Sequence, residues 1–393
     1  MKILYYSPHP NLNLQDMSGY GTHMREIIFA FRKLGHEVLP VIAGGIEKNI
    51  CSKNIHTRVS FKKILKKSFP SILWETVKDI FLLRKDKQLE KLLLQQIEKF
   101  QPDLIYERGS YLQISGCMAS YKKKIKHIIE INAPYGEERL SMQGKSLLNF
   151  MSDHIEKKQI ELSEKVVVVS SALKKYFSEK HKIDEKKFII TPNAVNAEKL
   201  KTDENKIRDL TEKFQLNKNF VIGFVGSIFP YHGVDILIKS FHKVKEIQNN
   251  CKLLIVGDGE TLPLLEALSK KLGLTDSVIF TGNISHSDIS NYIELMNICV
   301  LPKTNWYCSP VKIFEYGFFG KAIIAPNNVP LKDVITDGES GLLINPNVEE
   351  LSSAILKLLN DAVLRKKIEN NFQRKVHEEH SWEKMAVKIL SQI

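Results

Sequence analysis

Short apolar runs recur along this chain, each followed by a longer segment with helical spacing. KILYYS (2–7), EVLPVI (37–42), DLIYE (103–107), KHIIEI (126–131), KVVVVS (165–170) and FIIT (188–191) form one series. VIGFVG (221–226), KLLIVG (252–257), SVIFTG (277–282), ICVLP (298–302) and AIIAP (322–326) form a second. Runs with little polar alternation suit strands buried on both faces. Strands alternating with helices predict parallel, doubly wound sheets, an α/β class. Two series predict two sheets, and 393 residues are a comfortable length for two domains.

Between the series, AEKLKTDENKIRDLTEKFQLNK (197–218) is polar and charged, and TPNAVN (191–196) before it reads as a turn. The expected division is therefore 1–196 and 197–375. A tail at 376–393 contains SWEKMAVKILSQI, an amphipathic helix after Ser381. Open parallel sheets bind ligands outside the carboxyl ends of their strands. Two sheets facing each other would place a site in the cleft between them, on the loops after strands.

The formal net charge of +12 favours an anionic partner: nucleic acid, an acidic membrane or a phosphorylated small molecule. No helix-turn-helix or aromatic-basic RNA signature is present, so nucleic acid is not expected. Five cysteines (Cys51, Cys117, Cys251, Cys299 and Cys308) show no CxxC pair and read as reduced thiols of a cytoplasmic protein. No metal-ligand cluster stands out. MKILYYSPHP opens as a strand rather than a signal peptide, and no apolar run is long enough to span a bilayer.

Three loops carry the chemistry. After the first strand, Gly19 and Gly21 precede a helical pattern, where backbone N–H groups can approach an anion. Residue 24 is Met, so the dinucleotide fingerprint GxGxxG is incomplete. LGHEV ends that helix, with Gly35 beyond its last turn. VGSIFPYHG (225–233) opens the second series, and its Ser227 and His232 could both meet a phosphate. The third loop leads into SPVKIFEYGFFG (309–320), with Ser309 as a helix cap and Pro310 at the first helical position. Lys312 and Glu315 share one face three residues apart, which an ordinary ion pair would explain. At a strand's carboxyl end, however, the cation suits phosphate and the carboxylate suits a sugar diol.

Taken in order, GYGTHMREIIFAFRKLGHEV, PDLIYER, VVVVSSALKKYF, TPNAVNAEKL, FVGSIFPYHGVDILIKSF, LLIVGDGE, VIFTGNISHSDISNYIELMNICVLP and SPVKIFEYGFFGKAIIAP resemble the family 4 glycosyltransferases from residue 1 to about 390. The resemblance implies a GT-B fold: two Rossmann-like domains facing an interdomain cleft, the first for the acceptor and the second for the donor. It also implies a tail helix packed back on the first domain. The implied reaction transfers a sugar from a nucleotide-sugar donor, with retention, no metal and no other cofactor. The acceptor would be a glycan, a lipid-linked sugar or a small molecule, as in cell-surface polysaccharide synthesis, and family habit favours uridine over guanine.

The resemblance also assigns roles. Glu315 would hold the ribose hydroxyls. Lys312 and the backbone at Pro310 and Val311 would cradle the diphosphate, aided by Gly19 and Gly21. Ile279 and Gly282 would meet the base through backbone. The chain departs from the family where Ser227 and His232 replace an Arg and a Lys, and where Tyr307 replaces a sugar-binding Glu. Where members place a His, IIEINAPYGEER offers Glu130, Asn132 and Glu137 to the acceptor. A nucleotide-sugar epimerase of the same architecture, or a non-catalytic nucleotide or anion binder, is the competing reading.

Residues 53–91 remain. Eleven cations against four acids, interleaved with apolar residues and Trp74, would suit either a solvated helix pair or peripheral contact with an anionic membrane.

Overall fold

The computed structural model describes residues 1–16, 19–45 and 70–393. Cys51 and the cations Lys53, Arg58, Lys62, Lys63, Lys66 and Lys67 lie outside them. The chain divides into two compact units. One comprises Met1–Thr191 with Met385–Ile393, the other Pro192–Lys384.

In the first unit β1 (Lys2–Ser7) leads to α1 (Gly19–Lys33) and β2 (Glu37–Ile42). Next come α2 (Ser71–Phe100), β3 (Leu104–Arg108), α3 (Ser115–Lys123) and β4 (Lys126–Ile131). The unit continues with α4 (Tyr135–Gln143), α5 (Asn149–Leu162), β5 (Lys165–Val168), α6 (Ser171–His181) and β6 (Phe188–Ile190). Its sheet is parallel, in the order β2-β1-β3-β4-β5-β6. The order reverses at β1, which places the ends of β1 and β3 at a switch point. Gly35, at φ +83°, ends α1 with bonds from Gly35 N to Arg32 O (2.9 Å) and His36 N to Phe31 O (3.1 Å).

The second unit opens with α7 (Glu204–Lys213), β7 (Phe220–Val225), α8 (Val234–Ile247), β8 (Cys251–Val256), α9 (Leu262–Lys271) and β9 (Val278–Phe280). It continues with α10 (Ile289–Glu294), β10 (Ile298–Val300), α11 (Val311–Phe318) and β11 (Ala322–Pro326). Then follow α12 (Val329–Lys332), β12 (Leu342–Ile344), α13 (Val348–Asn360) and α14 (Ala362–Glu379), while α15 (Trp382–Leu390) carries the chain past the division. The sheet order is β12-β11-β10-β7-β8-β9, again parallel, with its switch between β10 and β7. The expected strands form, and β12 is an addition at the sheet edge. The Ser381 hydroxyl accepts from Lys384 N (3.3 Å) and caps α15.

Helix α11 is fixed by its buried face. Ile313, Phe314 and Tyr316 are fully buried, each contributing about 1.5–3 kcal/mol. The Tyr316 hydroxyl accepts from Val225 N (2.9 Å), tying the helix to the end of β7. A Cβ on Gly317 would lie 2.6 Å from both Phe372 and Val376 of α14, so only glycine lets these helices approach so closely.

Candidate functional site

The ends of β7, β8 and β9 in the second unit carry three glycines that pack backbone on backbone. Gly257 N donates to Gly282 O (3.1 Å), and a Cβ on Gly257 would stand 2.1 Å from Gly226 O. Gly226 and Gly257 hold φ of +135° and +133°, and Gly282 +68°. The result is a thin wall of main chain at the strand ends, and helix α11 begins beside it.

Lys312 occupies the space that Gly226 leaves. Its ammonium stands 4.2 Å from the centroid of the Phe224 ring. The Nζ is buried and has no hydrogen-bond partner among the described residues. Burial pushes its pKa down to about 7, against the opposing pull of Glu315. A buried ammonium without an acceptor costs free energy, so it marks a place prepared for an anion.

Glu315, one turn along, is also buried, and His286 Nε2 lies 3.5 Å from its Oε1. His286 comes from the loop after β9 and was not anticipated from the sequence. Its only signal was a histidine in the polar stretch NISHSD behind a predicted strand.

His232 does not act as a second cation. Its Nδ1 donates to Ser227 O (2.6 Å), which leaves Nε2 as a lone-pair acceptor in the neutral ring. Burial and the neighbouring Lys312 push its pKa down to about 3. Ser227 itself is exposed. Among the residues of this cradle, Lys312 therefore supplies the positive charge.

Two expectations about the loop before α11 change. The helix starts at Val311, with Pro310 at the cap position and no side-chain cap. The Ser309 hydroxyl instead accepts from Asn193 N (3.0 Å), and its carbonyl accepts from Asn193 Nδ2. The first turn thus has backbone donors without a competing side chain. Tyr307 is buried, its hydroxyl accepting from Asn305 Nδ2 (3.2 Å). The neighbouring Trp306 ring, edge-on to Tyr307 at 5.4 Å, is 43% exposed. Ile279 is half-buried in β9, and Gly282 follows two residues after that strand.

The remaining candidates belong to the first unit. Gly21 lies at the start of α1, where a Cβ would meet Asp16 O at 2.1 Å, whereas Gly19 has open space around it. Glu130, at the end of β4, accepts from the Tyr106 hydroxyl (2.6 Å), Arg108 Nη1 (3.2 Å) and Asn132 Nδ2, and lies 2.7 Å from His23 Nε2. Burial opposes its ionisation, but His23, Arg108 and Tyr106 outweigh burial and hold the carboxyl down to about 2. Glu130 is thus saturated as a structural anion. Asn132 Oδ1 is buried without a partner among the described residues. Glu137 is exposed and accepts from the Tyr176 hydroxyl (2.6 Å).

Among the described residues one group could in principle hold a metal: Glu107, Cys117 and His127, with ligand atoms within 4.8 Å of one another. These residues are buried and committed to each other. His127 bridges Glu107 Oε2 (2.9 Å) and the Ser163 hydroxyl (2.9 Å), and the Cys117 thiol donates to Glu107 (3.5 Å).

Two families match consecutive parts of the chain. Glycosyltransferase Family 4 matches residues 17–199, and Glycosyl transferases group 1 matches residues 205–375. The chain is 28% identical over 235 residues to the capsular polysaccharide biosynthesis glycosyltransferase CapM of Staphylococcus aureus, covering 56% of this chain and 60% of that protein. It is 29% identical over 164 residues to the alpha-D-kanosaminyltransferase of Streptomyces kanamyceticus, covering 42% of each. It therefore spans about half the length of these two relatives. Among solved structures, Anabaena Alr3699/HepE in complex with UDP superposes with a TM-score of 0.73 at 18% identity, over 100% of this chain and 99% of that one. The fold is the α/β GT-B fold.

Proposed function

Because the chain belongs to the family 4 glycosyltransferases, we propose that it transfers a sugar from a nucleotide-sugar donor to a glycan, lipid-linked or small-molecule acceptor. The observation that carries this reading is the buried ammonium of Lys312, without a hydrogen-bond partner among the described residues, one helical turn from the buried carboxylate of Glu315. A nucleoside diphosphate carries both complements, phosphate and ribose diol. The main-chain wall at Gly226, Gly257 and Gly282 would present backbone rather than side chains to a base.

In the proposed reaction the bond between the anomeric carbon and the diphosphate oxygen breaks. A new bond forms from that carbon to the acceptor oxygen, on the same face of the sugar. The acceptor's hydroxyl proton passes to the leaving phosphate, and nucleoside diphosphate departs. Charge grows on the diphosphate in the transition state, where Lys312 and the uncapped first turn of α11 would stabilise it. Such preorganised groups need no metal. Trp306 and Asn305 stand beside Tyr307, where the expected sugar-binding carboxylate is missing, and would contact the donor sugar. Uridine is the base we favour, since UDP occupies the similarly folded Anabaena protein.

A panel of nucleotide sugars, scored for thermal protection and for slow hydrolysis of the donor, tests this reading. UDP-sugars should protect and be hydrolysed. Protection by no nucleotide sugar would reject it.

A further inference from the structure

Over residues 71–92, helix α2 turns three acids inward and several apolar residues outward. Glu75, Asp79 and Asp86 are buried. Glu75 and Asp79 receive Arg139 Nη2 at 2.8 and 3.2 Å, and Asp86 accepts from Ile114 N at 2.8 Å. Glu90, the remaining acid over residues 71–92, accepts from Lys122 (2.6 Å). On the opposite side Leu73, Val77, Ile80 and Phe81 are exposed, Val77 at 59% and Phe81 at 64%. Their spacing places them on one stripe, which continues through exposed Arg84 and is flanked by exposed Lys78 and Lys87.

A second exposed apolar group lies on the segment joined to the inward side of α2. Leu140, Met142, Leu147 and Phe150 are exposed, Phe150 at 74%. Their segment is fastened to α2 by Arg139 and by Leu147 N donating to Thr76 Oγ1 (2.9 Å). Four exposed large apolar side chains along one stripe of a single helix exceed the scattered apolar surface of an ordinary soluble domain.

We propose that the outward face of α2 docks on the surface of an anionic lipid bilayer, with Val77 and Phe81 entering the headgroup boundary. Charge selects this occupant. Arg84 and Lys87 are the outward charges of the stripe, Lys78 being paired with Glu75 (2.8 Å), and the chain as a whole carries +12. A second copy of the chain would oppose the same cationic stripe to itself. Among the described residues no helix is long and apolar enough to cross a membrane. The docking claim stands on the surface alone. That the bilayer delivers a lipid-linked acceptor rests on the transferase reading.

The test uses the full chain, co-sedimented with phosphatidylcholine vesicles with and without phosphatidylglycerol. The substitutions are Val77→Ser with Phe81→Ser, and separately Arg84→Glu with Lys87→Glu. All four positions are exposed, so the fold should persist, as unchanged UDP binding would report. Binding should require the anionic lipid, weaken with salt, and fall about tenfold or more in each double variant. Absence of vesicle binding, equal binding to neutral vesicles, or no effect of the substitutions would overturn the proposal. So would a concentration-dependent dimer that the apolar pair abolishes. Failure here with intact UDP binding would leave the donor site standing, and the reverse result would leave the docking face standing.

Discussion

A Cβ on Gly226 would stand 2.4 Å from the Nζ of Lys312. The loop glycine and the buried lysine are thus one device: the missing side chain is the space the ammonium occupies. The φ of +135° at Gly226 adds a backbone requirement that other residues rarely meet.

Gly226→Ala should therefore displace Lys312 and strain the turn. We expect a loss of about 1–3 kcal/mol of stability and at least a tenfold weaker nucleoside diphosphate affinity. Denaturant melts and calorimetric titration measure the two effects, and an alanine variant with native affinity would dissociate the glycine from the lysine.

Lys312→Met should separate stability from function. It removes a buried cation without a partner but keeps the side-chain volume, so the unliganded protein should gain about 1 kcal/mol while diphosphate binding is lost. A melting temperature that falls instead would mean the ammonium contributes stabilising contacts to the fold.

The pH dependence follows from the same residue. Burial lowers the pKa of Lys312 to about 7, far below the value of an unfolded chain. Above pH 7 the folded protein sheds a proton that the unfolded chain keeps, so unliganded stability should rise as pH increases from about 7 toward 10. Diphosphate binding has the opposite sign, because it requires the charged form. Its dissociation constant should increase by up to about tenfold per pH unit above 7. Titrations between pH 6.5 and 9 (roughly the window set by this shift) would show it, and the rise of unliganded stability with pH should be absent in Lys312→Met.

His286 lies 3.5 Å from Glu315 and comes from a different loop, which makes it a positioning residue for that carboxylate. His286→Ala should weaken nucleotide binding about three- to tenfold, with partial rescue by His286→Gln. An unchanged pH profile and affinity in the alanine variant would remove it from the site.

The strands were legible because the sheets are covered on both faces, and continuous apolar runs such as KVVVVS and KLLIVG leave few alternatives. β12 escaped notice because Leu342–Ile344 is three residues long, at a sheet edge, with Leu343 half-buried. Lys312 and Glu315 could be placed from helix spacing alone. What spacing could not show is which partners exist. Ser309 reads as a cap until Asn193 is seen to occupy it, and the burial of the Tyr307 ring could not be read from its position. The neutral state of His232 likewise depends on its burial and on a lysine eighty residues away in sequence, against a backbone carbonyl that favours the charged ring.

The role given to Glu315 is tested most directly by calorimetric titration of free UDP, and of a UDP-sugar, into the wild-type protein and Glu315→Ala. If Glu315 holds the ribose, the variant should bind both ligands about ten- to a hundredfold more weakly, a loss of about 1.4–2.7 kcal/mol. Unchanged affinity for free UDP, with a loss confined to the UDP-sugar, would contradict the assignment and move Glu315 from the ribose to the donor sugar.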